Sequence, residues 1–541
     1  MEYLIEFYPD NKRIKINEGK SILDASVALG IYLTSVCNGM GTCGKCRVIV
    51  EEGEVQSEKT DLLTKKEREE NYYLACKTYP LSDLKVIIPV ESRLGTHQIL
   101  EHAHGIEKDS LLGDEAGIAI DIGTTTIVAY LIDLSNNKIV DSASGYNKQM
   151  IHGEDILTRI HYTKKNGVEK LNRLLIETIN GLIGKLMKDR EGVKIKEIVA
   201  AANTTMTYLL LSKDPSIIIK NQDLEEFKIA YTADPEKLGI PCKGKLYTLP
   251  GIASYVGGDI VADIISSGMY TSEEVSMLID VGTNGEIAMG NKDWLVACST
   301  SAGPAFEGGE VGCGMRATTG AIERIRIKEN YEVEYATIHN DKPRGICGSG
   351  FIDLIAELFL RGLVDHNGKF SDTSSDVSTD RIRDGEYGKE FIVVSGDETA
   401  TGKDIVITEK DIEGIMLSKA AIYAGASTLT KIGVGFENLE KIYVAGGFGY
   451  YLNVEKAIIM GLLPDLPEEK FEFIGNGSAK GAYMALIDEE KRKDAENIAK
   501  RTTYYDLSTA KDFSEEYMAA LYLPHRDESL FPSVEKRFHT V

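Results

Sequence analysis

Long hydrophobic runs are missing from this sequence. No apolar stretch approaches the ~18 residues that a membrane-spanning helix needs. The first thirty residues intersperse Glu2, Glu6, Asp10 and Lys12 with alternating apolar residues, which is not the order of a signal peptide. A cytoplasmic protein is therefore expected. Positive charge is also in deficit, with 61 Lys and Arg against 84 Asp and Glu and a net charge of −23. That balance argues against nucleic acid and anionic membranes as partners. Cysteine is sparse and uneven, at positions 37, 43, 46, 76, 242, 298, 313 and 347. A disulfide framework is not expected in a reducing cytoplasm, so the clustered first four point to chemistry near the N-terminus. Cys242, Cys298, Cys313 and Cys347 lack ligand spacing and read as buried, inert thiols.

What is present is ordinary globular composition, 43% hydrophobic and 27% charged, over 541 residues. A chain of that length exceeds one core and divides into roughly two to four structural units.

Leu4 to Ile16 alternate apolar and polar residues around Pro9-Asp10-Asn11, the pattern of a hairpin. Ser21 then caps an amphipathic helix, with Asp24 three residues on. Next comes Cys37-Asn-Gly-Met-Gly-Thr-Cys43-Gly-Lys-Cys46, followed by a strand from Arg47 to Val50; Cys76 precedes another strand, Leu84 to Val90. The spacing is C-x5-C-x2-C-x29-C. Four thiolates, three of them on one tight loop, can hold both irons of a [2Fe–2S] cluster. Gly39, Gly41 and Gly44 let that loop wrap closely and turn its amides toward sulfur. Zinc is the alternative occupant, although zinc sites usually draw on two separated C-x2-C pairs. Residues 1–92 resemble the β-grasp ferredoxins, which makes Cys37, Cys43, Cys46 and Cys76 the expected ligands. The first gap of five residues is nearer the adrenodoxin-like branch than the plant type.

Residues 93–115 lack a hydrophobic period and read as a linker; His97, His102 and His104 within it are either solvated or metal-binding. From residue 116 an apolar strand ends in Asp121, turns through Gly123-Thr124-Thr125-Thr126 and returns as a second strand. The same design recurs about 160 residues later as Asp280-Val-Gly282-Thr283-Asn284-Gly285-Glu286. Such a repeat implies a duplicated α/β architecture. Each turn offers amides and hydroxyls to phosphate oxygens, and each aspartate can bind Mg²⁺ directly or through water. A third strand runs into Ala445-Gly446-Gly447-Phe448-Gly449, where backbone could lie flat against adenine or ribose.

These three elements, in this order, resemble the phosphate and adenosine motifs of the actin/Hsp70/sugar-kinase superfamily. The resemblance implies two ribonuclease-H-like lobes, about 116–255 and 256–541, with ATP and Mg²⁺ in the cleft between them. Asn203-Thr204-Thr205 and Gly348-Ser349-Gly350-Phe351 look like connecting turns of the two lobes, and residues 409–432 form a long core helix. Hydrolysis needs a carboxylate to orient or deprotonate water. Asp259, about twenty residues before the second turn, is favoured over Glu286, Glu154 and Asp155, with helix capping as its alternative role. Asp155 and Arg159 lie one turn apart and can pair. The small-residue run from Cys298 to Gly309 is expected to line the cleft or a docking surface.

The whole chain looks like the reductive activators of corrinoid-dependent methyltransferases. Gly-Thr-Cys-Gly-Lys-Cys, Ala-Ile-Asp-Ile-Gly-Thr-Thr-Thr, Ala-Gly-Pro-Ala-Phe-Glu-Gly and Val-Ala-Gly-Gly-Phe-Gly carry the likeness. It implies that one electron passes from the cluster to cobalt(II) at the expense of ATP. It also implies a corrinoid protein as partner, an upstream electron donor and a homodimer. Ser299 and Ser301 are candidates for weak cobalt contacts. Longer members place an extra domain between ferredoxin and ATPase, whereas here Asp121 follows Cys76 after only 44 residues. Two other functions fit the same parts: a small-molecule kinase with a redox-sensing cluster, and a nucleotide-dependent redox sensor that binds a partner.

Overall fold

The computed structural model describes residues 2–33, 35, 39–41, 44–60, 62–63, 65–89, 92, 113–153, 155–221, 223–309, 311–371, 379–386, 388–446 and 452–538. Cys37, Cys43, Glu154, Gly447, the three linker histidines and nearly all of 93–115 lie outside the described residues.

The N-terminal unit is a five-stranded mixed sheet in the order Lys12–Asn17, Glu2–Tyr8, Leu84–Ile87, Arg47–Glu52, Tyr72–Leu74. The first two strands are antiparallel, with Ile5 opposite Ile14, while Glu2–Tyr8 runs parallel to Leu84–Ile87. Alternation puts Ile5, Phe7, Val48 and Val86 into one core against Ile22 and Ala25 of helix Ile22–Ala28. That helix begins in a reciprocal cap: Ser21 Oγ accepts from the Asp24 amide at 3.1 Å, and the Ser21 amide donates to Asp24 Oδ2 at 2.9 Å. This is the β-grasp arrangement expected from the sequence.

Two further sheets share one topology. In the first, Glu115–Ile122 lies between Thr126–Asp133 on one side and Lys194–Ala202 on the other, with Lys138–Tyr146 and Lys245–Thr248 beyond them. In the second, Ser276–Val281 takes the central place, flanked by Gly285–Gly290 and Ile442–Ala445, then Leu295–Thr300 and Phe471–Gly475. In both, the first three strands form an antiparallel meander and the last two run parallel to the first. The duplication read from two similar turns is thus a duplication of whole sheets.

Helices Gly258–Ser267 and Gly477–Ile487 pack between the sheets, in a core joining Ala119 and Val128 of the first to Leu278 and Ala288 of the second. Their approach requires Gly481, where a Cβ would lie 2.2 Å from the Ala262 carbonyl oxygen. The chain therefore crosses back. Arg492, which follows strand Phe471–Gly475 of the second sheet, makes a two-pronged 2.8 Å contact with Glu197 of the first. Helix Glu409–Thr430, capped by Thr408 and Asp411, is core packing as expected, and Gly348–Leu360 opens at the predicted glycines.

Candidate nucleotide cleft and cluster loop

Strand Glu115–Ile122 delivers Asp121 to the first turn, where Gly123 admits no side chain because a Cβ would meet the Thr126 carbonyl oxygen at 2.5 Å. The turn is braced from behind. Asn147 Nδ2 donates to Gly123 O at 3.0 Å, and Asn203 Nδ2 to Thr124 Oγ1 at 3.1 Å. The fully buried Arg159 guanidinium donates to Thr124 O, to Gln149 Oε1 at 3.0 Å and to Gly153 O at 2.9 Å. Around the second turn, Gly282 N–H donates to Asn284 O at 2.9 Å and Thr283 Oγ1 to Glu307 Oε1 at 3.1 Å. The two turns face each other with Thr125 and Thr283 hydroxyls 3.3 Å apart. Gly446 closes the third side in a left-handed conformation (φ 108°), where a Cβ would lie 2.3 Å from Val281 O.

Between them lies a cavity of about 220 Å³. Asp121, Gly123, Thr124, Thr125, Thr126, Asp280, Gly282, Thr283, Asn284 and Gly446 all line it, as do Asp259 and Glu286. Gly285 does not: it starts a buried strand and packs against Ile422 and Thr300. Asp155 is also displaced from the expected role. It caps helix Ile156–Asn166, accepting from the Thr158 amide at 2.8 Å, and is not part of the cavity wall. Asp259 combines the two expected roles, since its Oδ1 accepts from the Ile260 amide at 2.9 Å while its carboxylate lines the cavity. Gly257 holds the N-cap position, and Asp259 faces the cavity from the first turn.

The carboxylates crowd one another. Burial, chiefly, pushes Asp121 and Asp280 up to about 7 and Asp259 to about 6; Asp263 and Glu286 are raised well above the usual carboxylate range. Asn476 Nδ2 offsets part of this at Asp121, donating to Oδ2 at 2.9 Å. Wall residues not anticipated from sequence are Asp263, one helical turn after Asp259, together with Asn476 and Arg316. Asp263 was legible in principle, because i,i+4 carboxylates share a helix face. Arg316 stacks 4.5 Å over the Tyr146 ring and so reaches from the second lobe to the first.

The run from Cys298 to Gly309 divides. Phe306 and Glu307 reach the cleft wall as expected, whereas Cys298 and Ala302 are core. Of the dispersed cysteines, Cys242, Cys298 and Cys347 are buried and Cys313 is only half-buried.

At the cluster loop, Gly39, Gly41 and Gly44 all take left-handed backbone (φ 77°, 82° and 67°), as a tightly wrapped loop requires. Cys46 and Cys76 come from separate elements but are tied together by Ala75 N–H donating to Cys46 O at 2.8 Å. Gly39 also lies against Cys76, where a Cβ would be 3.9 Å from the Cys76 Cβ. The glycine-rich loop is thus folded onto Cys76, the arrangement a four-thiolate cluster needs.

Three comparisons bear on these sites. Residues 6–81 match a family described as a 2Fe-2S iron-sulfur cluster binding domain. Residues 116–272 match the RACo middle region, and 274–535 the C-terminal domain of RACo, the ASKHA domain. The middle-region match falls on the residues read as the first lobe, about 116–255, and not on the short stretch between Cys76 and Asp121. The corrinoid activation enzyme RamQ of Eubacterium limosum is 31% identical over 94% of this chain and 97% of that protein. A reductase of the Co(II) methylated amine-specific corrinoid protein, from Methanosarcina barkeri, is 24% identical over 75% of this chain and 76% of that protein. A solved reductive activator for corrinoid, iron-sulfur protein superposes with a TM-score of 0.71 and 38% identity, covering 98% of this chain and all of that one. Among the described residues no helix is long and apolar enough to cross a membrane.

Proposed function

This chain belongs to the RACo family, and on that premise we propose that it uses ATP to drive one electron from its ferredoxin domain to the cobalt of a corrinoid protein. The observation that carries the reading is the joining, in one chain, of a glycine-wrapped cysteine loop to a two-lobed phosphate cleft, with end-to-end likeness to a solved activator.

A [2Fe–2S] cluster held by Cys37, Cys43, Cys46 and Cys76 would supply one electron at a time, at a potential around −400 mV for plant-type ferredoxins. Each 100 mV of uphill gap costs about 2.3 kcal/mol per electron. Nucleotide binding and hydrolysis can offset such a gap if they change what the acceptor cobalt experiences.

In the cleft, amides and hydroxyls of Thr124, Thr125 and Thr283 serve the phosphates. Asp121 and Asp280 both line the cavity with carboxyls raised in pKa by burial, and two such groups at one site favour Mg²⁺ entering with the nucleotide. Asp259 is the base or water-orienting residue: it points into the cavity from a helix and, at about 6, is ionised at neutral pH but basic enough to take a proton. Gly446 with Gly447 serves the adenosine. The physiological assembly is a homodimer supplied by a separate electron donor.

The test follows cobalt by absorbance, mixing reconstituted protein, a strong reductant and a cobalt(II) corrinoid protein with or without ATP. Cobalt(I) appearing only with ATP is expected. Equal reduction in both samples overturns the reading and favours the kinase or the sensor.

A further inference from the structure

Six carboxylates line the nucleotide cleft, those of Asp121, Asp259, Asp263, Asp280, Glu286 and Glu307, and among the described residues Arg316 is the one cation in its wall. A guanidinium beside so many acids would ordinarily be paired with one of them. Arg316 is not. It crosses to the first lobe and rests on a ring and a thioether, with Tyr146 4.5 Å away and Met150 Sδ 3.9 Å from Nη2. Among the described residues it forms no ion pair. Stacking on a ring occupies the face of the guanidinium plane and leaves the N–H groups around its edge free to donate.

The backbone beneath this side chain is fixed. The Met315 amide donates to Ile346 O at 2.9 Å, and the Arg316 carbonyl accepts from Thr318 Oγ1 at 3.4 Å. Gly308 packs so closely on Met315 that a Cβ there would lie 2.5 Å from the Met315 carbonyl carbon. Arg316 thus adjoins the turn that carries Glu307, whose Oε1 accepts from Thr283 at 3.1 Å. On the first lobe, Tyr146 precedes Asn147, whose amide donates to Thr125 O at 2.9 Å. Arg316 is therefore anchored beside both phosphate turns.

We propose that Arg316 binds the terminal phosphate of ATP, donating from the edge of its guanidinium while the face stays on Tyr146, its positioning residue. The proposal rests on the functional reading above, because it assumes nucleotide in this cleft. The terminal phosphate carries the most charge of the chain, so a wall of carboxylates repels it most and a lone cation stabilises it most. A planar fork also meets two phosphate oxygens at once, which a point charge does not. Arg316 belongs to the second lobe and the Thr125 turn to the first. A terminal phosphate held by both ties the lobes together, and the cleft thereby distinguishes ATP from ADP.

The test is calorimetry on the reconstituted full chain with Mg²⁺, titrating ADP and, separately, a non-hydrolysable ATP analogue. Arg316→Met should weaken the analogue about 10- to 100-fold, the range for losing one hydrogen bond between charged groups, and leave ADP within about twofold. Retained ADP binding also shows that the variant is folded. Tyr146→Leu should weaken the analogue about two- to fivefold, as loss of one cation–π contact predicts, while Tyr146→Phe binds it as the wild type does. Equal weakening of both nucleotides in a folded Arg316→Met means that the residue only shapes the cleft; unchanged affinity for the analogue means that it only bridges the lobes. Either result overturns the proposal. If Arg316→Met loses its fold by circular dichroism, the Tyr146 pair decides, and an analogue-to-ADP affinity ratio in Tyr146→Leu equal to that of the wild type overturns the proposal. A wild type that binds neither nucleotide overturns the functional reading itself; one that binds both, with the same ratio in Arg316→Met, overturns this proposal alone.

Discussion

Replacing Asp121 by Asn should make the protein more stable and less active at once. Burial raises the Asp121 carboxyl from 3.8 to about 7, with Asp259 and Asp280 adding repulsion. Between those values the folded chain holds a proton that the unfolded chain has released, so stability falls as pH rises from about 4 to about 7 and is level above. Holding the carboxyl at about 7 instead of 3.8 costs about 4 kcal/mol at pH 8. The amide introduced by Asp121→Asn cannot ionise and escapes that penalty, but the contact with Asn476 Nδ2 weakens from charge-assisted to neutral. The net gain for Asp121→Asn is therefore roughly 2–4 kcal/mol at pH 8. It should be about 1 kcal/mol smaller at pH 6, where the native carboxyl is largely protonated. Denaturant titrations of nucleotide-free protein at the two pH values measure both quantities. Added Mg–ATP should stabilise the wild type and not the variant, and ATP-dependent cobalt reduction should vanish. If Asp121→Asn is destabilised equally at both pH values, Asp121 is held by attractive contacts, and the picture of a buried charge awaiting a cation is wrong.

Two further outcomes follow from the site geometry. Arg159→Ala strands the acceptors at Thr124, Gln149 and Gly153; it should cost about 3–5 kcal/mol of stability by denaturant titration and weaken ATP binding at least tenfold by calorimetry. Cys76→Ala should abolish the visible and electron paramagnetic signals of the cluster while leaving ATP affinity within about twofold, because Cys76 belongs to the ferredoxin core and not to the cleft.

Much of the fold was legible because its signals are local. The Ser21–Asp24 cap, the hairpin at Pro9 and the two Asp-Gly-Thr turns each announce themselves within a few residues. The cleft wall was legible where it is made of such turns. It was not legible where side chains arrive from elsewhere in the chain, as Arg316 and Asn476 do in the wall and Arg159 does behind it; nothing in a buried arginine's sequence neighbourhood says which carbonyl it will meet. Asp155 and Gly285 illustrate the opposite case: a carboxylate taken as a candidate by residue type caps a helix, and a glycine taken with its turn packs in a buried strand. The return of helix Gly477–Ile487 to the first sheet was likewise hidden, because a linear division into lobes has no place for a segment that crosses back.

The two halves of the cleft, alike in topology, are unlike in support, and that asymmetry bears on where a bound nucleotide would act. The first turn is held from behind by Asn147, Asn203 and the buried Arg159, groups that bind its own carbonyls and hydroxyl. Rearranging it would expose unsatisfied buried acceptors, each at a cost of about 1–3 kcal/mol. The second turn has a lighter brace, the Thr283–Glu307 hydrogen bond. Phosphates bridging Thr125 and Thr283 would therefore find one wall fixed and the other adjustable. A symmetric pair of turns would close on nucleotide without preferring either side; braced unequally, the pair should yield first at the second turn, where one Thr283–Glu307 hydrogen bond is all that has to be exchanged for a phosphate oxygen.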